Sequence, residues 1–322
     1  MTVRILGCLA CICAIGCLTL ASRKGEDKPV PIFSGPVGEL GPICSPDGRW
    51  LAFEYFTSKG VSDTEIWIMP THGTSREAKP VLNDKRYEYG EIAWSPDSAW
   101  ISFIGNRSTD SIVLSMQIYK VNIFTRQIVQ LTSFPDATGL GAGTSWSRDG
   151  HIAFEMNDDM YVVPESGGSA DKLLDVRKNL PSVAPYFPTW SPDGSRLAFV
   201  GRRPGKNGTE HTLYVLEVQT GRVSSVFQGV GDDGPSWLDV DHVLCSHEDG
   251  EDKYSLWLIP VSPGSPLQIT RGHYDGTPST DPAHTYLFFS RSDGRSKPSL
   301  SSPARGFHLW KLCLNLVRVA DP

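Results

Sequence analysis

Glu39, Asp232 and Asp275 hold one place in the sequence. Each stands three residues before a proline (Pro42, Pro235, Pro278) that lies two residues ahead of a recurring turn. Tyr89, Gly141 and Pro185 hold the same place before Ile92, Thr144 and Pro188. Glu88, Glu91 and Asp233 adjoin these positions, and Arg86, Arg271, His273 and Tyr274 lie on the same connections. Carboxylates brought to one rim create a negative field that suits a cation, an amine-bearing peptide end or a basic segment. Arg86 and His273 would either pair with these acids or address a substrate carboxylate. The competing reading is local, since Asp often caps neighbouring backbone amides in turns.

Other chemistries lack their residues. There is no Gly-x-Ser-x-Gly elbow for a nucleophile, no His-Glu-x-x-His zinc helix and no dinucleotide fingerprint. The eight histidines are scattered. Gly139, Gly141 and Gly143 enrich the stretch between Leu131 and Ser145, but no Lys-Ser/Thr follows to make a phosphate loop. His247 to Asp252 is the densest polar cluster, and its spacing matches no calcium loop, so a solvated hairpin turn is expected there. No catalytic residue, metal set or cofactor is assigned, although the rim carboxylates leave a cation open.

The acids are positioned by repeats. Trp190-Ser191-Pro192-Asp193-Gly194 leads into Leu197-Ala198-Phe199. Pro presets φ, Asp bonds its own backbone and Gly accepts positive φ, so the segment reads as a tight hairpin. Copies begin at Ser45, Ser95 and Ser147, with worn equivalents at Leu238 and Thr280. Each is followed by an aromatic strand around Trp67, Tyr119, Tyr161, Tyr214, Trp257 and Trp310. A period of about 40–50 residues filled with short strands reads as one propeller blade per repeat. The expected fold is all-β: six four-stranded antiparallel blades.

This Trp-Ser-Pro-Asp-Gly-x-x-Leu-Ala-Phe pattern resembles the PD40 (WD40-like) repeats of TolB-type six-bladed propellers, over residues 30–322. The resemblance implies that the strand ending in the motif lines a central channel, with the acids at its mouth. TolB itself carries an α/β domain ahead of its propeller, whereas here a leader precedes the first repeat. The resemblance therefore covers the propeller alone. Fold is a weak guide to function. A non-enzymatic scaffold docking a peptide or partner protein is expected, with a metal-assisted lyase or hydrolase, or a gating subunit for a separate hydrolase, as alternatives.

Residues 1–22 read as an export leader, with an uncharged run from Ile5 to Leu20 and small residues beyond it. Ala14-Ile15-Gly16-Cys17 also resembles a lipobox, making Cys17 a lipidation candidate. Residues 23–29 read as a tether. Secretion or release to the periplasm is expected, with a lipid anchor as the alternative. The formal charge of −6 argues against a nucleic-acid partner, and a monomer is expected. Cys44, Cys245 and Cys313 read as buried hydrophobes rather than a disulfide framework, though a Cys44–Cys313 bridge between neighbouring blades is conceivable. The segment Val30–Pro36 precedes the first turn and should supply the outer strand of the last blade, closing the ring.

Overall fold

The turn chemistry is built as the residue types dictate. Ser45 donates its hydroxyl to Asp47 at 2.6 Å and accepts the Trp50 amide at 3.0 Å. Gly48 sits at φ 72° and closes the turn with a 2.8 Å bond to the Ser45 carbonyl. Ser191, Asp193 and Gly194 repeat this arrangement. In the second copy Ser98 takes the glycine's place at φ 58°. Its hydroxyl accepts the Asp47 amide at 3.0 Å, so one strained residue ties two neighbouring turns together.

The computed structural model describes residues 17–20, 28–57, 64–84, 87–107, 116–134, 140–206, 208–250, 253–271, 274–292, 306–314 and 316–319. They form six four-stranded antiparallel sheets and one two-stranded ribbon. Blade 1 runs from its inner strand outward as Gly38–Cys44, Trp50–Phe56, Thr64–Pro70 and Lys79–Leu82. The inner strands of blades 2 to 5 are Tyr87–Trp94, Leu140–Trp146, Ala184–Trp190 and Ser236–Trp237. Blade 6 contains Asp275–Thr280, Tyr286–Ser292 and Phe307–Cys313, and its outermost strand is Val30–Phe33. Register pairs Val30 with Lys311 and Phe33 with Leu309, so the N-terminal strand closes the ring as expected. Among the described residues, helix is confined to Val176–Asn179 and a single 3-10 turn at Ser75–Glu77.

The two sequence signatures meet across the sheet. Phe53 pairs with Trp67, Phe103 with Tyr119, Phe154 with Tyr161, Phe199 with Tyr214 and Phe289 with Trp310. Blade 5 puts Cys245 opposite Trp257. The Phe103–Tyr119 and Phe199–Tyr214 rings stack with centroids 5.4 Å apart, contacts worth about 0.5–1.5 kcal/mol beyond the area they bury. The core is distributed between blades. One cluster joins Ile66 and Ile68 of blade 1 to Ile101 and Phe103 of blade 2, and five others occupy the remaining interfaces.

Cys44 and Cys245 are buried free thiols, and Cys313 is free and half-buried. No Cys44–Cys313 bridge forms. Cys44 instead lies 3.8 Å from the Thr71 hydroxyl, and burial pushes its thiol up to about 11. Most of the expected leader and tether lies outside the described residues. Within it, Cys17–Leu20 pairs with Leu316–Val319 in the ribbon; the side chain of Cys17 is not described. Among the described residues, no helix is long and apolar enough to cross a membrane.

Candidate functional site: the channel and its acids

The inner strands are irregular at one common level. Their register to the second strand breaks between Leu40 and Ile43, Gly90 and Ala93, Leu140 and Thr144, Tyr186 and Thr189, and Gly276 and Ser279. Gly41, Glu91, Gly143, Phe187 and Thr277 at these bulges have positive φ, from 49° to 97°. For a β-branched residue such as Thr277 this costs about 1–3 kcal/mol and needs local support. The support comes from acidic and hydroxyl side chains. The Thr277 amide donates to Asp233 at 2.5 Å, the Glu91 amide to Glu54 at 2.5 Å and the Gly41 amide to Ser290 at 3.2 Å. The amides of three of the five bulges are thereby satisfied.

These bulges surround a channel of about 1280 Å³. Pro42, Ile92, Thr144, Pro188, Pro235 and Pro278 contribute one residue per blade to its wall. The acids expected at its mouth fall into two groups. Glu39 is fully buried, accepting the Gly35 amide at 2.7 Å and facing His308 at 3.1 Å. Burial raises its carboxyl and the His308 bond opposes that rise. Asp275 is also fully buried and takes a bidentate grip from Arg291 at 2.6 and 2.8 Å. Asp232 is gripped the same way by Arg202 at 2.9 and 2.7 Å, and the guanidinium lies 3.9 Å over the Tyr186 ring. Asp232 and Asp275 thus have arginine partners, and Glu39 has the His308 ring. Glu39 and Asp275 serve the packing of their blades.

Glu91 and Asp233 form the second group and are joined by Glu54. All three line the channel without a cationic partner among the described residues. Asp233 accepts the Thr277 amide and the Ser246 hydroxyl. Burial still pushes it up to about 6. Burial also raises Glu54, and raises Glu91 with the nearby charges of Glu54 and Asp232 adding to the effect. Glu91 keeps some surface in contact with the channel, yet its carboxyl is surrounded by protein and sits in a low-dielectric setting. Among the described residues no three His, Cys, Asp or Glu side chains converge tightly enough to hold a metal ion.

Glu88 and Tyr89 lie on the inner strand of blade 2, with side chains that are not described. Arg86 and His273 lie outside the described residues. Arg271 is exposed. Glu54 is the member that the loop alignment misses, because it stands on a second strand, directly after Phe53. Its column reads Glu54, Ile104, Glu155, Val200, Ser246 and Ser290. Glu54 and Ser290 reach bulge amides in the next blade, and Ser246 reaches Asp233, which holds the Thr277 amide, so polar residues directly after the repeat's phenylalanine are the signal for the site. Of the His247 cluster, His247 and Glu248 end a strand and the Asp249 amide donates to the Lys253 carbonyl at 2.8 Å, while Glu251 and Asp252 lie outside the described residues.

No protein-family model matches the chain. A dipeptidyl aminopeptidase BIII from Pseudoxanthomonas mexicana is 29% identical over 149 residues, which is 44% of this chain and 20% of that protein. The matched stretch is thus about a fifth of the relative's length. The solved TolB from Acinetobacter baumannii aligns at TM-score 0.57 and 20% identity, covering 73% of this chain and 57% of that one. A putative TolB from Agrobacterium tumefaciens aligns at TM-score 0.56 and 16% identity, covering 88% and 92%. With six four-stranded blades, an N-terminal closing strand and these structural neighbours, the chain has the fold of a TolB-type six-bladed β-propeller.

Proposed function

We propose that this propeller is an exported, non-enzymatic scaffold that docks a peptide segment of a partner protein at its acidic channel mouth. The channel carries this reading. Pockets of roughly 300–1,000 Å³ accommodate drug-sized ligands, so a space of about 1280 Å³ has room for an extended segment. Its wall mixes apolar residues with a few polar anchors, as binding sites do. Export rests on the leader reading of residues 1–22, with Cys17 as the lipidated alternative. A second reading, a gate for a separate hydrolase, draws support from the local match to the dipeptidyl aminopeptidase.

A pull-down from an envelope extract tests both. Wild type is compared with Glu91→Gln/Asp233→Asn, the two proteins first being matched in thermal stability. One partner captured by wild type and lost by the variant supports docking at the channel. If that partner is an α/β-hydrolase, the gate reading takes over. Identical capture by both proteins removes the channel from the interaction.

A further inference from the structure

Charge accounting along the channel shows what is missing. Arg202 is committed to Asp232, Arg291 to Asp275 and His308 to Glu39. The other described arginine on the wall, Arg148, belongs to a Ser-x-Asp turn at the opposite end, and among the described residues no lysine lines the space. Among the described residues Glu54 and Asp233 have only neutral donors, and the Glu91 carboxyl accepts from none. Enclosed carboxylates are ordinarily paired, because an unpaired charge in low dielectric is expensive. The wall of the same channel is aromatic near Asp233. Tyr254 and Tyr274 meet at a 42° tilt with centroids 4.6 Å apart, and Phe307 meets Tyr274 edge-on at 5.9 Å.

We propose that the channel takes a protonated amine, held by Glu91 with Glu54 and Asp233 against the face formed by Tyr254, Tyr274 and Phe307. This deepens the docking reading above and rests on it. A compact metal ion asks for several oxygens at about 2.0–2.6 Å, and the described acids do not converge that way. An alkylammonium group asks instead for dispersed carboxylates plus aromatic rings, since ring faces attract cations and the carbon stem covers apolar wall. A lysine side chain or peptide amino terminus and a free polyamine share this chemistry.

Fluorescence anisotropy with a labelled alternating Ala-Lys hexapeptide tests the proposal, with the lysine-acetylated peptide and spermidine as further arms. Wild type should bind the lysine peptide about tenfold more tightly than the acetylated one, a difference of about 1.4 kcal/mol. Glu91→Gln and Glu54→Gln should abolish that preference. Glu217→Gln, on an exposed outer pair with Arg222, should keep it. Spermidine that outcompetes the peptide assigns the site to free polyamines; weaker spermidine assigns it to peptide amines. Equal binding of both peptides overturns the proposal, as does an unchanged preference in the folded Glu91 and Glu54 variants. Absence of binding by any amine probe overturns it too. A pull-down partner that still depends on the channel would then leave docking standing and remove only the amine.

Discussion

At the scale of single residues, the channel acids and the turn acids respond to pH in opposite directions. Glu54, Glu91 and Asp233 have carboxyls raised by burial, so the folded chain holds protons that the unfolded chain releases above the ordinary carboxylate range. Their contribution to stability is full at low pH and is lost as pH rises through the raised values. Asp149 and Asp193 are lowered chiefly by the hydroxyls of Ser147 and Ser191. Their contribution is present above the ordinary range and is lost as pH falls below it. Glu91→Gln is therefore expected to leave the melting temperature near that of wild type at pH 4.5. At pH 8.5 it should raise it by about 2–4 °C, the equivalent of roughly 1 kcal/mol in a chain this large. Thermal melts at the two pH values check this, and a lowered melting temperature at pH 8.5 would mean that Glu91 has a cationic partner in solution.

Among the elements, neighbouring inner strands are joined by indoles, but unevenly. Trp94 donates its Nε1–H to the Ile43 carbonyl and Trp237 donates to that of Thr189, both at 2.9 Å. The Nε1 groups of Trp146 and Trp190 are buried without an acceptor. Phenylalanine at position 94 should thus cost about 1 kcal/mol more than at position 146, where it removes an unsatisfied donor. Urea unfolding of the two variants gives the difference directly, and equal costs would show that the Trp146 indole finds a partner. The strands themselves were readable because their information is local: Ser, Pro, Asp and Gly build the turn within four residues, and the period repeats it. The closing strand was readable by subtraction, as Val30–Phe33 had no other place. The site was only half readable. Asp275 faces Arg291 directly across a hairpin, a pairing open to inspection once the register is known. Glu39 finds His308 across the seam between the first and last blades, and Glu54 reaches the Glu91 amide from the preceding blade. Partners that far apart in sequence leave no spacing to read.

For the whole molecule, the ring depends on one short strand. Phe33 packs within 5.1 Å of Phe53 and 6.4 Å of Trp67 by ring centroids, so Val30–Phe33 completes blade 6 and also plugs the interface with blade 1. A chain beginning at residue 28 keeps this strand and, among the described residues, lacks only the ribbon strand Cys17–Leu20. It should melt with the full-length protein. A chain beginning at residue 34 loses the strand and should be destabilised by about 3–5 kcal/mol, the range for emptying a buried aromatic site. Calorimetry of the two truncations separates ring from ribbon, and an equal loss in both would make the ribbon part of the closure. The same strand also imposes a schedule. Val30 is made 281 residues before its partner Lys311. At about 5–20 residues per second, the two leave the ribosome roughly 15–55 s apart. During that interval the early blades can stack as they emerge, but the seam stays open and Phe33 waits on the nascent chain for a blade that has not yet been translated.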